Sequence, residues 1–237
     1  MTPRHPQQPP DNPPAAASWG RRIGLDGQRV PLLRGRIHQA SVLPVLAGSV
    51  LLATTARTGT ARAAISVFGL SVVAMLTASA YYHCHADTEA TKLRARRLDH
   101  AMIFVAIAGT QSAYWMLTAP PVVAAPMLLL SWLAAGIGIR HKLVHLELTS
   151  SSGSWLYGVI GWTSVVLLPF LVEAGIGVVW LVVAGGLVYS VGGSMLIGRG
   201  PDPWPGVFGY HEIWHVLVVV GVASHGAGIV LLTHSSV

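Results

Sequence analysis

Charge is what this sequence lacks most. Only 10% of its 237 residues are Asp, Glu, Lys or Arg, where a soluble domain carries about 25%. So few charges cannot cover the surface of a water-soluble globule of this length. Cysteine is almost absent: Cys84 stands alone, which excludes any intramolecular disulfide. No cleavable signal peptide is visible, and the first thirty or so residues, rich in Pro, Gln and Ala, lack an apolar core. Residues 1–30 are expected to form a disordered tail, and residues 31–237 a membrane domain.

What is present is apolar. Hydrophobic residues make up 52% of the chain, and the mean hydropathy is +0.58. Seven apolar segments fall at about 37–56, 63–84, 99–118, 121–139, 155–173, 176–197 and 211–233. Each approaches the roughly 20 residues that a helix needs to cross a bilayer. A lone spanning segment must satisfy its own backbone polar groups, so helix is the expected state. The expected fold is therefore an all-α membrane protein, a seven-transmembrane helix bundle. Pro44, Pro126 and Pro169 are expected to kink their helices. The fifth and sixth segments are divided only by a tight join at Gly175.

The pI near 10.0 does not signal nucleic acid, because the cations occupy the gaps between apolar runs. Arg4, Arg21, Arg22, Arg29, Arg34 and Arg36 precede the first span. Lys92, Arg94, Arg96 and Arg97 fill the second gap, Arg140 and Lys142 the fourth, and Arg199 the sixth. The opposite side has only Arg57 and Arg62. The positive-inside rule then places the N-terminus in the cytoplasm and the C-terminus outside, in the cell inner (plasma) membrane. Six spans would break this asymmetry. Trp155, Trp180 and Trp204 lie near span ends and read as interfacial anchors.

With that orientation, polar residues from distant stretches share one inner depth. Ser79 and His83 end the second span, Asp99 and His100 open the third, and His211 and His215 open the seventh. His211 and His215 stand at i and i+4, on one helix face about 6 Å apart along the axis. Two imidazoles so placed can chelate one ion, and His83 would supply a third nitrogen, leaving a position for water as in a catalytic zinc site. Ser79, one turn before His83, would hydrogen-bond around the site, and Asp99 would take or hold a proton. Each residue also has a plainer reading. A histidine at a span end often bonds only to water. Asp99 could cap the third helix or pair with Arg96 or Arg97, and Ser79 could serve as a small packing residue. Convergence of three clusters at one depth favours the metal. Zn²⁺ is the expected ion, although three imidazoles also suit Cu, Fe or Ni. His85, His141 and His145 are expected in or beside solvated loops, and His225 packed against a neighbouring helix.

The segment HEIWH (His211–His215) matches the HExxH of zinc peptidases. A peptidase would leave Ser79 and His83 without a purpose, so Glu212 is expected beside the ligand pair and not necessarily as the base. The chain resembles the hemolysin III family, relatives of the progestin and adipoQ receptors. The resemblance rests on PLLRGRIH (Pro31–His38), SAYYH (Ser79–His83), LDHAMIFVAIAGT (Leu98–Thr110), YGVIGW (Tyr157–Trp162) and HEIWHVLVVVGVASH (His211–His225). It implies a seven-helix bundle with an inner-side zinc on His83, His211 and His215, and Ser79 and Asp99 around a bound water. It also implies kinship with metal-dependent amide hydrolases, including alkaline ceramidases. Gln111–Ser112 departs from the Tyr-Thr that the family often carries.

Three functions compete: a zinc hydrolase acting on a lipid amide or ester, a non-catalytic lipid sensor with structural zinc, and a lytic pore. The partner expected is a membrane lipid, with no nucleic acid; the sequence does not fix the oligomeric state. No span carries a polar stripe that could line a channel. The orientation is open to test by reporter fusion. Alkaline phosphatase joined after Val237 should be active, and joined after Arg97 inactive; the reverse pattern would invert the assignment.

Overall fold

The structure is a computed structural model in which residues 30–148 and 152–235 are described. The expected disordered tail lies outside the described residues, apart from Val30. The helices are α1 (Arg36–Thr55), α2 (Gly59–His85), α3 (Glu89–Thr118), α4 (Pro121–His145), α5 (Trp155–Trp162), α6 (Leu168–Ala174), α7 (Ile176–Gly198) and α8 (Tyr210–Ser235). A 3₁₀ turn over Thr163–Leu167 joins α5 to α6, so these make one span, Trp155–Ala174. Among the described residues, seven spans are long and apolar enough to cross a membrane, and no strand is present beyond one isolated bridge.

Local chemistry sets the boundaries. Thr58 caps α2 by accepting from Ala61 N–H at 3.1 Å. Thr88 caps α3 in a reciprocal pair with Thr91. Pro121 sits in the first turn of α4, where its missing N–H costs nothing. Gly175, at φ 131°, divides the fifth span from α7 in a backbone region that side chains disfavour.

The fifth span is not simply kinked at Pro169, as expected, but broken. Pro169 cannot donate within the helix, and the turn before it tightens to 3₁₀. In hydrocarbon the polar groups of this irregular stretch need partners, and Gln111 of α3 supplies one. Its side-chain amide donates to Ile160 C=O at 2.9 Å and lies 3.2 Å from Thr163 Oγ1 and 3.1 Å from Ser164 Oγ. The departure at Gln111 therefore has a structural task.

Sequence neighbours pack side by side, α1 on α2, α2 on α3, α3 on α4 and α7 on α8, while α8 also touches α1, α2 and α3. The core lies among α2, α3 and α8, around Phe68, Val72, Leu76, Tyr114, Val218 and Val222. Outward residues such as Leu43, Val122 and Ile197 are exposed, as lipid-facing positions require. Trp155, Trp180 and Trp204 are exposed too, consistent with interfacial anchoring.

Close approach between helices uses small residues. A methyl at Gly138 of α4 would fall 2.5 Å from the Phe104 ring of α3, whereas one at Gly136 would meet nothing within 4 Å. Gly138→Ala should therefore lower the thermal midpoint in detergent, by an overpacking cost of about 1–3 kcal/mol. Gly136→Ala should leave it unchanged or raised. Equal midpoints for the two variants would contradict this packing.

Candidate metal centre

Each candidate side chain is carried to one end of the bundle by its helix. His83 lies in the last turn of α2, and His211 and His215 in the first turns of α8. Asp99 was expected to open the third span, but α3 begins ten residues earlier, at Glu89. The Thr88 cap lets the charged turn LysLeuArgAlaArgArg remain helical beyond the apolar stretch, so Asp99 sits well inside the helix rather than capping it. The same extension occurs in α4. His141 and Lys142, expected in a loop, are helical, and His141 is half-buried with its Nε2 3.2 Å from Ser152 Oγ. His85 and His145 are exposed, as expected.

Three imidazoles converge. The Nε2 atoms of His83 and His211 are 3.3 Å apart. The possible ligand atoms of His83, His211 and His215 all lie within 4.8 Å of one another. Their ring centroids form a nearly equilateral triangle, 4.8 Å for His83–His211, 4.9 Å for His83–His215 and 4.8 Å for His211–His215. The ring planes are inclined by 61–76° to one another, like the blades of a propeller. A tetrahedral ion with bonds of about 2.0–2.1 Å sets its nitrogens about 3.3 Å apart and its ring centroids about 5 Å apart. The triangle has that size. A ring pointing its lone pair at another ring's nitrogen is poorly satisfied without a proton or a cation between them. His215 Nδ1 is buried with no hydrogen-bond partner. The composition and spacing of the cluster are thus compatible with a metal ion.

Asp99 and Ser79 complete the group. Asp99 Oδ2 lies 3.9 Å from His83 Nε2, the nitrogen that faces His211, so the carboxylate stands on the ligand side of that ring. Ser79 is buried one turn before His83 and lies beside the Asp99 side chain. The structure therefore gathers all five sequence-derived residues. His100 turns away, with Nδ1 3.0 Å from the Tyr157 hydroxyl, which ties α3 to the fifth span. His225 packs against α7, its ring stacked on Tyr189 at 5.7 Å.

Three further contributors carry no spacing signal in the sequence. The segment before α1 lies along the loop between α7 and α8, with Leu32 N–H donating to Gly206 C=O at 3.0 Å and Leu33 N–H to Val207 C=O at 3.2 Å. From there Arg34 reaches Glu212, Nε to Oε1 at 2.5 Å, while Glu212 Oε2 accepts from Gly209 N–H at 2.9 Å. Gly35, at φ 79°, presses against His83; a methyl there would fall 2.5 Å from His83 Cβ. His38 stacks on His215.

A family model described as haemolysin-III related matches residues 28–226. Hemolysin-3 of Bacillus cereus is 28% identical over 186 residues, which cover 77% of this chain and 82% of that protein. The Hemolysin-3 homolog of Bacillus subtilis (strain 168) is 28% identical over 163 residues, covering 67% of this chain and 72% of that one. The matched region includes all the spans up to Gly226 of α8 and every residue of the histidine cluster. The chain is therefore a multi-pass integral membrane protein that belongs to the haemolysin-III-related family.

Proposed function

We propose that this protein is a zinc-dependent hydrolase that cleaves the amide or ester bond of a membrane lipid at the end of the bundle where the histidines meet. The observation that carries the reading is the juxtaposition of three imidazoles in a triangle of metal-site size with a carboxylate 3.9 Å from one of their nitrogens. A structural zinc site is closed by four protein ligands, whereas three ligands and a nearby acid or base suit a catalytic one.

A bound divalent ion would supply Lewis-acid activation of a carbonyl and of water. His83, on α2, and His211 and His215, on α8, would hold it. Asp99 would accept a proton from the attacking water as that oxygen bonds to the carbonyl carbon. It would return the proton to the departing amine or alcohol as the carbon–nitrogen or carbon–oxygen bond breaks. Ser79, beside Asp99, would help hold its carboxylate in place. The core residues of α2, α3 and α8 offer an apolar environment for an acyl chain, and Phe68, Val72 and Leu76 lie on α2 ahead of Ser79.

Purified full-length chain should contain about one zinc ion per chain, and His83→Ala and His211→Ala should each lose it. Asp99→Asn should keep the metal and slow fatty-acid release from a ceramide-like amide by about 10²–10⁴-fold. Metal content unchanged in both alanine variants would end the metal reading. Full zinc loading without turnover on lipid amides or esters would instead favour a sensor with a structural ion.

A further inference from the structure

α1 is the span least embedded in the bundle. Of its 20 residues, Arg36–Thr55, the one that is buried is His38. A lipid-facing helix can be anchored by leucine at no polar cost, so a histidine in that place needs a reason. His38 is 3% exposed, and neither ring nitrogen has a hydrogen-bond partner. The backbone of His215 lies close enough to interact with the ring, but not in hydrogen-bonding geometry. Burying an imidazole with both nitrogens unmet costs free energy that a purely apolar anchor would not.

The ring geometry supplies the reason. His38 lies flat on His215, with centroids 4.0 Å apart and planes inclined by 15°. The three ligand candidates instead meet at 61–76° and at 4.8–4.9 Å. His38 is thus not a fourth ring radiating from the same point; it covers the face of one that does. That ring needs an external constraint. The torsion that turns an imidazole about its Cβ–Cγ bond is broad. A metal-binding histidine is usually fixed by donating its second nitrogen to a carbonyl or carboxylate. No hydrogen bond on His215 Nδ1 holds the plane of that ring.

We propose that His38 is a positioning residue of the metal centre: stacked on His215, it fixes the plane in which that ring presents its nitrogen to the ion. The inference rests on the reading of the histidine trio as a metal centre. The first helix then sets metal affinity without contributing a ligand. Offset aromatic stacking favours this arrangement, and it gains when the covered ring becomes electron-poor on binding a cation.

The test uses the full chain in detergent, stripped and reloaded with Co²⁺, with affinity measured against a chromophoric chelator and site geometry read from the visible absorption bands. His38→Ala should bind about 10–100-fold more weakly, the usual effect of losing a residue that orients a ligand, and its bands should shift. His38→Phe keeps a ring in place and should recover much of the affinity and the band positions. His38→Leu fills similar space without a plane and should remain close to the alanine variant. Circular dichroism identifies any variant that fails to fold; the Phe and Leu variants still decide the matter if alanine does. A leucine variant equal to wild type, or an alanine variant with unchanged affinity and spectrum, would overturn the role of His38 alone. A wild-type chain that takes up no cobalt would overturn the metal centre and this inference with it.

Discussion

Hydrocarbon offers a polar group no hydrogen bond, so every polar atom inside this bundle depends on another part of the bundle. Most of them meet that demand locally. Gln111 serves the broken fifth span, the Tyr114 hydroxyl donates to His225 C=O at 2.9 Å, Trp132 Nε1–H donates to Ser112 Oγ at 3.0 Å, and the Ser224 hydroxyl donates to Leu181 C=O at 2.7 Å. The histidine cluster is different. Its rings are packed close together and inclined around a common centre, with the Nε2 atoms of His83 and His211 3.3 Å apart. Converging lone pairs in a dry site call for a positive partner. The rest of the local structure follows from holding those rings still.

Holding them is the task of chain that lies outside the core helices. The segment before α1 is laid along the α7–α8 loop by backbone hydrogen bonds, which brings Gly35 against the end of α2 and Arg34 against the start of α8. One short stretch thereby touches both ligand-bearing helices. The Arg34–Glu212 pair is weak evidence for stability, since a buried ion pair sacrifices much hydration. Its geometry does more for register: it ties the first turn of α8 to the segment before α1 at a defined height.

Much of this was legible in the sequence, for identifiable reasons. Spans are set by a one-dimensional property, hydropathy over about 20 residues, and bilayer thickness gives that property a fixed scale. The i, i+4 spacing of His211 and His215 is a property of a single helix, and charge asymmetry put His83 and Asp99 at the same depth. What stayed hidden depends on how helices rotate and lean on one another. The stack of His38 on His215 joins the first span to the last, and no local period encodes it. The break at Thr163–Leu167 is invisible as hydropathy, because a 3₁₀ turn and an α-helix of the same residues are equally apolar. The early start of α3 was missed because hydropathy marks where the bilayer begins, and the helix does not stop there.

The glutamate of HEIWH shows why a motif has to be read in its surroundings. In a peptidase the residue between the two histidines serves as the base, which requires a carboxylate oxygen open to water beside the metal. Glu212 is fully buried, with Oε1 engaged by Arg34 and Oε2 by Gly209 N–H. The spacing that places His211 and His215 on one face turns the intervening side chain aside, toward the segment before α1. Asp99, the base proposed for the site, stands on a different helix, 3.9 Å from His83 Nε2. The base and the first ligand are thus set by the packing of α2 on α3, and the other two ligands by α8. Relative movement of α8 against that pair would separate His211 and His215 from His83 and Asp99, so the cross-links from α1 and the segment before it bear directly on the chemistry proposed for the site.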